Sequence, residues 1–318
     1  MGALLTPSLM LSQGIGDPAK LKGAGIEVRS SLPGVGANLQ NHAALTVLAH
    51  LRRVGVERRP QRNHNNTMFR YSSHVEGCPT IDMGLSLGSR ASWHEVARRI
   101  AHFAPLLMVP ASRGCVTLKA RSPGSPEPLI EFNLLGDPRD EMRLTDGLAH
   151  LANLLVSPEL SELIGAPVGA SRLSRTAGYN EQTPYNRFRT RLIAGALDLV
   201  PGLGDKMVAS LGDPDGTLLE ILSDPDRLRA FVRANVMPIG HHSGTCKMGA
   251  RSDSMAVVDS AGKVFGLEGL RVADASVMPT IPRGNTNLPT LMIAEKMADA
   301  ILKSALRAVP EIHLSSAS

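Results

Sequence analysis

The chain has 318 residues, of which 43% are hydrophobic and 20% charged, a composition typical of a globular protein with one large or two ordinary domains. Its formal net charge is +5, but the basic residues are scattered rather than gathered into a stripe, which argues against a nucleic-acid-binding protein. The sequence has no apolar run near the ~20 residues that span a bilayer, and its 3 cysteines lack the spacing of a zinc site or a disulfide framework.

The first predicted elements are two short helices and a polar loop. Residues 2–16 read GALLTPSLMLSQGIG, in which Thr6-Pro7 suits a helix start and two glycines end the helix. Residues 17–25 favour a second helix. The loop at 32–42, LPGVGANLQNH, has turn glycines but lacks the strand and GxGxxG spacing of a phosphate-binding loop, a motif that occurs nowhere in the sequence.

The middle of the chain predicts an antiparallel sheet with helices. Polar, basic residues between 51 and 71 predict a long surface loop. Helical periodicity at 137–157 indicates an amphipathic helix that covers the sheet, and residues 224–235 predict another helix, capped by Asp224. Strand-like segments separated by turns lie at 44–51, 80–86, 103–110, 115–119 and 129–133.

The residues with the most chemistry lie between Met237 and Ala300. His241 and His242 are adjacent on an extended segment, so their side chains point to opposite faces. A satisfied structural histidine remains an alternative for either one, and His-His-x-x-x-Cys supplies too few ligands for a metal. The segment therefore offers at most one histidine to a given site.

An acidic strand end and a polar turn follow. Residues 269–274, GLRVAD, read as a short parallel strand with Asp274 at its carboxyl end, where open α/β sheets bind ligands; an aspartate that caps a turn is the alternative. Asn285-Thr286-Asn287 precedes Pro289, which suits a first helical position, and apolar residues at helical spacing predict a helix over 290–302. The positive end of that helix would stabilise a group that acquires negative charge.

Together these strings resemble the glucose–methanol–choline (GMC) family of flavin-dependent oxidoreductases over nearly the whole chain. Two departures are Gln13, where serine is usual before the glycine, and Asn41, where the family has aspartate in an NLQDH loop. The similar strings are GAxxTPxL at 2–9, SRGxVTL at 112–118, HxxGTCxMG at 241–249, VVD at 257–259, GLRVADASVMP at 269–279 and NTNxPTxMIAEK at 285–296.

The resemblance implies an FAD-dependent oxidoreductase that acts on the CH–OH groups of alcohols. It implies that His241 is the base that removes the hydroxyl proton while hydride leaves the carbon for flavin N5, a role that suits an imidazole because it titrates close to neutral pH. Asn285 corresponds to the second active-site residue and would donate a hydrogen bond to the substrate oxygen. His242 has no comparable role and is interpreted as structural.

The resemblance also implies which residues contact the cofactor, FAD. Asp274 and Ala275 match the positions at the ribityl chain and pyrophosphate, and Thr286 and Asn287 match those at the pyrimidine edge. The helix that begins near Pro289 would direct its positive end at the flavin N1–C2 carbonyl edge.

The expected fold is α/β (α+β overall): an incomplete FAD-binding Rossmann-like domain with an inserted antiparallel-sheet substrate domain covered by helices. Residues 1–43 and 236–306 are predicted to belong to the FAD-binding domain, 44–235 to the substrate domain and 307–318 to a tail. The family's strand–GxGxxG–helix unit, which holds the FAD pyrophosphate, is not found in the sequence. A truncated product, a mis-assigned start and a split subunit are therefore alternatives.

That unit bears on what the chain can do by itself. Because it supplies the pyrophosphate site, we expect weak or no FAD binding by this chain alone and a separate FAD-binding half as a partner, besides the alcohol substrate. A flavin-containing hydroxynitrile-type lyase is an alternative to alcohol oxidation, since a fold does not fix function. Neither nucleic acid nor a membrane span is expected; the sequence leaves the cellular location open, with the cytoplasm favoured.

Overall fold

The computed structural model describes residues 2–57, 65–120, 126–214 and 216–308. Its α-helices are α1 (Gly2–Ser12), α2 (Pro18–Gly23), α3 (Pro138–Leu155), α4 (Pro158–Ser161), α5 (Pro184–Leu199), α6 (Leu203–Ala209), α7 (Leu218–Ser223), α8 (Pro225–Asn235) and α9 (Asn287–Ala308). Short 3-10 helices lie at Ala97–Arg99, Leu173–Tyr179 and Ala275–Val277. The strands are β1 (Ile15–Gly16), β2 (Ser30–Ser31), β3 (Ala43–Ala44), β4 (Val47–His50), β5 (Asn65–Tyr71), β6 (Met83–Gly88), β7 (Ile100–Leu107), β8 (Cys115–Ala120), β9 (Pro126–Glu131), β10 (Val168–Gly169) and β11 (Met237–Pro238).

The chain forms two compact units, each built from separate stretches of sequence. Unit 1 contains the described residues within Met1–Asn41, Arg113–Asn133 and Gly240–Ser318. Unit 2 contains those within His42–Ser112 and Leu134–Ile239. The predicted catalytic and cofactor-binding residues all fall in unit 1, whereas the large sheet belongs to unit 2.

A seven-stranded antiparallel sheet forms the centre of unit 2. Its strand order is β10-β4-β7-β3-β11, and β6 pairs with both β7 and β5. Helix α3 packs on β6 and β7 with a stripe of leucines, and those at 144, 148, 151 and 155 are at most 1% exposed. The predicted antiparallel sheet covered by helices is confirmed.

A buried ion cluster fastens α3 to loops of the same unit. Arg143, Asp82 and Asp140 are each at most 1% exposed. The Arg143 guanidinium donates to Asp82 Oδ2 at 2.8 Å and also pairs with Asp140, whose carboxylate accepts the Ser112 backbone N–H at 2.8 Å. Burial would raise the pKa of Asp82, but hydrogen bonds from Ser73 and Arg143 lower it overall. The negative charges of two buried carboxylates are thus compensated by one guanidinium.

The β8–β9 hairpin belongs to unit 1, which corrects the predicted substrate domain of 44–235. Leu39 and Gly114 exchange backbone hydrogen bonds at 3.0 and 2.8 Å, and the Val116 N–H donates to the Gly36 carbonyl at 2.7 Å. The hairpin also packs against α1. These bonds join residues some 75 positions apart, so strand periodicity alone could not show which unit the hairpin joins.

The core of unit 1 is aliphatic and sulfur-rich. Met10 and Leu11 of α1 pack with Val257 and Val258 and with Met297 of α9. Cys246 lies in the same core, fully buried, with its Sγ 3.9 Å from Met10 Sδ. Burial raises the pKa of the Cys246 thiol to about 12, so this cysteine is an inert core side chain at neutral pH.

The predicted parallel strand at 269–274 is wrong. Gly269 has a left-handed φ of +73°, and Arg271 makes a single antiparallel bridge with Lys263, so within the described residues no strand forms there. The Arg271 side chain donates to the Ala261 carbonyl at 2.8 Å, which holds this turn in place. Asp274 instead starts the 3-10 helix Ala275–Val277.

The described chain ends within α9. Residues 307 and 308 of the predicted tail complete this helix, and residues 309–318 lie outside the described residues. Among the helices that the structure describes, none is both long enough and apolar enough to cross a membrane.

Candidate active site

His241 lies at the start of an extended segment of unit 1 that pairs with the turn after Asp274. Alternate backbone N–H groups from Gly244 to Met248 donate to the carbonyls of Ala275–Val277 at 2.8–3.1 Å. The acceptors are three successive carbonyls of the 3-10 helix, so these bonds fix the position of the His241 segment against that helix. The segment of the predicted base and a predicted cofactor contact, Ala275, are therefore held together.

The loop 38–41 holds the other side of the His241 segment. Asn41 Oδ1 accepts the His241 backbone N–H at 2.9 Å. The backbone of Gln40 pairs with that of Ser243 through bonds of 2.9 and 3.0 Å. The Asn38 amide donates to the Gly244 carbonyl at 3.1 Å. Three successive contacts therefore position the backbone on which His241 is carried.

The same loop also holds the chain that leads to Asn285. Gln40 is 2% exposed, and its amide uses both ends: Nε2 donates to the Pro279 carbonyl at 3.0 Å, and Oε1 accepts the Ile281 N–H at 3.1 Å. A buried amide that is satisfied at both ends resists rotation. Gln40 is thus a structural link between the two stretches that carry the predicted catalytic residues.

Gly244 is required at its position by both conformation and space. Its φ is +91°, a backbone region that other L-residues rarely adopt. A Cβ at Gly244 would lie 2.6 Å from the Asn38 carbonyl oxygen and 2.8 Å from Gln40 Nε2. The loop can therefore approach the His241 segment closely only because residue 244 has no side chain.

Asn41 presents a buried donor that none of the described residues satisfies. The residue is 3% exposed, and its Oδ1 must face the His241 N–H because only the oxygen can accept. Its Nδ2 then has no hydrogen-bond partner among the described residues. A buried amide group of this kind is costly unless a ligand or water accepts from it.

Both histidines of the pair have a lowered pKa. Burial lowers the pKa of His241, and the neighbouring His242 lowers it further. Burial alone lowers the pKa of His242, whose ring stacks on Phe132 at 5.3 Å between centroids. At neutral pH the His241 imidazole is accordingly neutral and able to accept a proton.

Asp274 is a turn cap that also contacts α1. Its Oδ1 accepts the Ser276 N–H at 2.8 Å, and its Oδ2 accepts the Thr6 hydroxyl at 2.7 Å. The capping alternative considered from the sequence is thus observed. Both Asp274 carboxylate oxygens thus already accept a hydrogen bond within the chain. Contact with FAD stays a prediction for Asp274 and for the buried Ala275 beside it.

The polar turn Asn285–Asn287 leads directly into α9. The Thr286 carbonyl accepts the Thr290 N–H at 2.9 Å, so Thr286 precedes the first helical residue, Asn287. The helix begins three residues before the predicted start at 290, because Pro289 lies in the first turn, where a missing N–H costs no helical hydrogen bond. Asn285 and Asn287 are exposed, whereas Thr286 is 9% exposed.

This part of unit 1 offers donors that suit FAD. Asn41 Nδ2, which has no partner among the described residues, and the N-terminus of the 22-residue α9 favour oxygen acceptors of a ligand, and the exposed amides of Asn285 and Asn287 can also donate to such acceptors. FAD presents phosphate, hydroxyl and carbonyl oxygens. The residues present therefore fit this cofactor.

The sequence did not reveal the role of the loop 38–41. The sequence-based prediction assigned it no function, yet it contacts the segments of His241 and Asn285. The available signal was the substitution at Asn41 within an otherwise family-like string. Asn41 is a polar residue in a polar loop, and the sequence by itself does not indicate that its side chain is buried.

Comparison with known proteins assigns this arrangement to one class. The family model described as GMC oxidoreductase matches residues 110–294. The match spans more than half of the chain, so this protein belongs to the GMC oxidoreductase family. FAD is the cofactor of this family, in agreement with the donor-rich site.

Individual relatives narrow the comparison. The chain is 36% identical over 308 residues to the 5-(hydroxymethyl)furfural oxidase of Methylovorus sp. strain MP688, a match of 96% of this chain and 50% of the relative. It is 28% identical to oxygen-dependent choline dehydrogenase 1 of Chromohalobacter salexigens, covering 94% of this chain and 49% of the relative. This chain thus spans about half the length of the curated relatives it matches.

A solved structure agrees with the fold. Pyridoxine 4-oxidase from Mesorbium loti superposes with a TM-score of 0.66 over 95% of this chain and 50% of that structure, at 22% identity. Likeness at this identity supports the fold alone, and the predicted α/β fold class is confirmed.

Proposed function

We propose that this chain forms the base-bearing half of an FAD-dependent alcohol dehydrogenase or oxidase. The observation that carries the proposal is the His241 imidazole, which burial keeps neutral at physiological pH and whose backbone is bonded to the buried Asn41. A neutral, positioned imidazole is a general base suited to a hydroxyl proton. Two of the curated relatives are named as an oxidase and a dehydrogenase, which supports the same class of reaction.

In this proposal each residue has a separate task. His241 accepts the hydroxyl proton of the alcohol, and the Asn285 amide donates a hydrogen bond to the same oxygen, which stabilises its developing negative charge. FAD, when bound, supplies the acceptor for the hydride that leaves the carbon. Asp274, Ala275 and Thr286-Asn287 would hold the cofactor, and the N-terminus of α9 would favour negative charge nearby.

Exposed apolar side chains suggest where the FAD-binding partner would pack. On α9, Leu288, Leu291 and Met292 are 74%, 55% and 65% exposed, and on α1, Leu5 and Leu9 are 52% and 50% exposed. Apolar side chains grouped on a helix surface mark a protein contact more often than a solvent-facing surface. We assign these surfaces to a polypeptide with the strand–GxGxxG–helix unit, because the relatives are about twice as long as this chain.

The histidine pair supplies a matched test of the base. In a protein that contains this chain together with the GxGxxG unit, His241→Ala should slow flavin reduction by an alcohol by ~10²–10⁴-fold. Stopped-flow absorbance under anaerobic conditions measures this rate. His242→Ala removes the adjacent imidazole, which stacks on Phe132, and should change the rate far less.

Two outcomes would reject the proposal. Undiminished flavin reduction in the His241→Ala variant would show that another group takes the proton. A flavin spectrum that no alcohol changes, combined with cleavage of a cyanohydrin, would identify a lyase on this scaffold instead.

A further inference from the structure

Unit 2 contains a cavity of about 580 Å³ on one face of its sheet. Leu48 and Ile100 of β4 and β7 and the neighbouring Thr46 form its floor. Its walls come from residues 91–97, from the 3-10 helix Leu173–Tyr179 and from α5 and α6. Volumes of 300–1,000 Å³ with mostly apolar walls are those of small-molecule sites.

A rigid polar group lies in the wall of this cavity. His94 is 7% exposed, and its Nδ1 accepts the Ala97 backbone N–H at 3.2 Å. Burial and then the charge of Arg189 lower the pKa of His94, against the opposing effects of Asn180 and Glu95. The ring is therefore neutral at pH 7 and carries its one proton on Nε2. The ring is hydrogen-bonded to the Asn180 side chain and adds no charge to the cavity.

The fixed charges at this cavity are positive. Arg175 lines it, with Nη1 donating to the Ser210 carbonyl at 3.3 Å. The Arg189 guanidinium lies over the ring of Tyr179, a lining residue, at 3.9 Å from the ring centroid. That ring face is thus already occupied by a cation and is not available to a second one.

The described lining residues contribute no negative charge that would balance a cationic ligand. No aspartate or glutamate is among the described residues that line the cavity. The neighbouring Glu95 is paired with Arg98 at 3.1 Å and with Arg99 at 3.6 Å. A cation that entered the cavity would lose water without gaining a counter-ion, which is costly.

We propose that this cavity binds a small molecule with an apolar, aromatic-sized body and no positive charge, and that it rejects quaternary ammonium compounds. The proposal rests on the lining and charges of unit 2 and does not depend on the assignment of His241 as a base. It concerns binding, so it can be tested on the 318-residue chain without flavin turnover.

Trp93 gives the chain a built-in reporter for this test. It is the one tryptophan in the sequence, its Nε1 donates to the Asn180 carbonyl at 2.8 Å, and its ring contacts that of His94 at 5.7 Å between centroids. Because Asn180 and His94 both line the cavity, a ligand there should change Trp93 emission.

The decisive experiment compares two probes of equal shape and different charge. 4-tert-Butylbenzyl alcohol and 4-(trimethylammonio)benzyl alcohol differ by one carbon exchanged for a cationic nitrogen. Titration with excitation at 295 nm should give a saturable change for the neutral alcohol, with a dissociation constant at least ten-fold lower than for the cation. Equal or tighter binding of the cation, or no saturable change with either probe, would overturn the proposal.

Two variants tie the binding to the cavity. Arg175→Glu places a carboxylate in the lining and should narrow or reverse the ten-fold preference for the neutral probe. Arg229→Glu makes the same charge change at an exposed position of α8 outside the cavity and should leave the preference unchanged. Ala177→Phe, at an exposed lining position, should weaken binding of the neutral probe at least ten-fold. Unaltered selectivity in Arg175→Glu together with unaltered affinity in Ala177→Phe would place the probe elsewhere.

Discussion

The contact between Asn41 and His241 is the one that most directly links a side chain to the proposed chemistry. The two residues lie 200 positions apart in sequence, and Asn41 Oδ1 accepts the His241 N–H at 2.9 Å. Asparagine supplies this acceptor without a charge, so it leaves the lowered pKa of His241 undisturbed. The identity of residue 41 is therefore expected to set the pH at which the base works.

Asn41→Asp should move the acidic limb of the kcat/KM profile to higher pH. The new carboxylate still accepts the His241 backbone N–H, but its negative charge favours the protonated imidazole and so raises the pKa of His241. Because only neutral His241 accepts a proton, activity should then be lost at a pH about 1 unit higher than in the parent protein. The measurement is kcat/KM against pH in a protein that contains the GxGxxG unit.

Asn41→Ala separates charge from hydrogen bonding. It should leave the acidic limb of the kcat/KM profile in place. It should lower the free energy of unfolding by roughly 1–3 kcal/mol, since the His241 backbone N–H loses its acceptor. Asn153→Ala, at an exposed position of α3, is the matched control for stability. If Asn41→Asp and Asn41→Ala had the same pH profile, charge at position 41 would have no influence on the base.

At this scale the sequence predicted the candidate residues but not their supports. His241, Asn285 and Asp274 belong to strings that carry a family resemblance, so they could be named from the sequence. The partners Asn41 and Gln40 could not, because hydrogen bonds between residues some 200 or more positions apart depend on the folded chain. Contact of the named residues with cofactor and substrate stays a prediction.

Among the elements, α3 shows most clearly what hydrophobic periodicity can and cannot predict. The helix at 137–157 was predicted, and the structure has it at Pro138–Leu155. The apolar Met142 of this helix is 52% exposed, whereas the charged Arg143 beside it is 1% exposed. Hydrophobic periodicity assigns charged residues to the surface, so it cannot predict charged residues that are buried because they pair with one another.

Arg143→Met should destabilise the protein by about 3–5 kcal/mol, because it leaves Asp82 and Asp140 buried without their shared cation. Thermal or urea unfolding of the 318-residue chain measures the loss. Arg191→Met, at an exposed position of α5, is the matched control and should be nearly neutral. A loss below about 1 kcal/mol for Arg143→Met would mean that the buried cluster contributes little.

The pKa of Asp82 gives this cluster a defined pH dependence. Because the folded-state pKa is lowered, the stabilisation is complete above the ordinary aspartate pKa of about 3.9 and is lost as pH falls toward the lowered value.

Strand β5 differs from the prediction, which assigns residues 51–71 to a loop. The polar start of this strand has no hydrophobic alternation, so the sequence pattern does not indicate a strand.

For the molecule as a whole, FAD binding by the 318-residue chain alone provides a direct test. The chain alone should bind FAD weakly or not at all, because its sequence lacks the GxGxxG motif that supplies the pyrophosphate site. Addition of a polypeptide with the strand–GxGxxG–helix unit, such as the N-terminal half of the Methylovorus relative, should restore binding. Flavin fluorescence titration measures both states.

A surface variant tests whether α9 makes the contact. Leu288→Glu with Met292→Glu alters side chains that are 74% and 65% exposed, so the chain should keep its stability but lose the restored FAD binding. Leu219→Glu with Leu199→Glu, also at exposed apolar positions, is the control. Stoichiometric FAD that copurifies with the unaltered chain alone would contradict the expectation.

For the whole molecule, the sequence predicted the sheet and its covering helices but not every boundary between the two units. The antiparallel sheet and its covering helices follow from local periods of two and of 3.6 residues. The grouping of Arg113–Asn133 with unit 1 does not, since it depends on pairing with the distant residues Gly36 and Leu39. Long-range pairing of this kind is decided by tertiary structure.

Unit 2 begins and ends at nearly the same point in space. The Ile239 N–H donates to the His42 carbonyl at 3.2 Å, and Ser112 Oγ accepts the Asp137 N–H at 3.0 Å, so both places where the chain leaves and re-enters this unit are closed by a hydrogen bond. An insert with adjoining ends can be exchanged without stretching its host. In evolution or in the laboratory, the sheet and its cavity could thus be replaced as a cassette while His241 and its supporting loop remain unchanged.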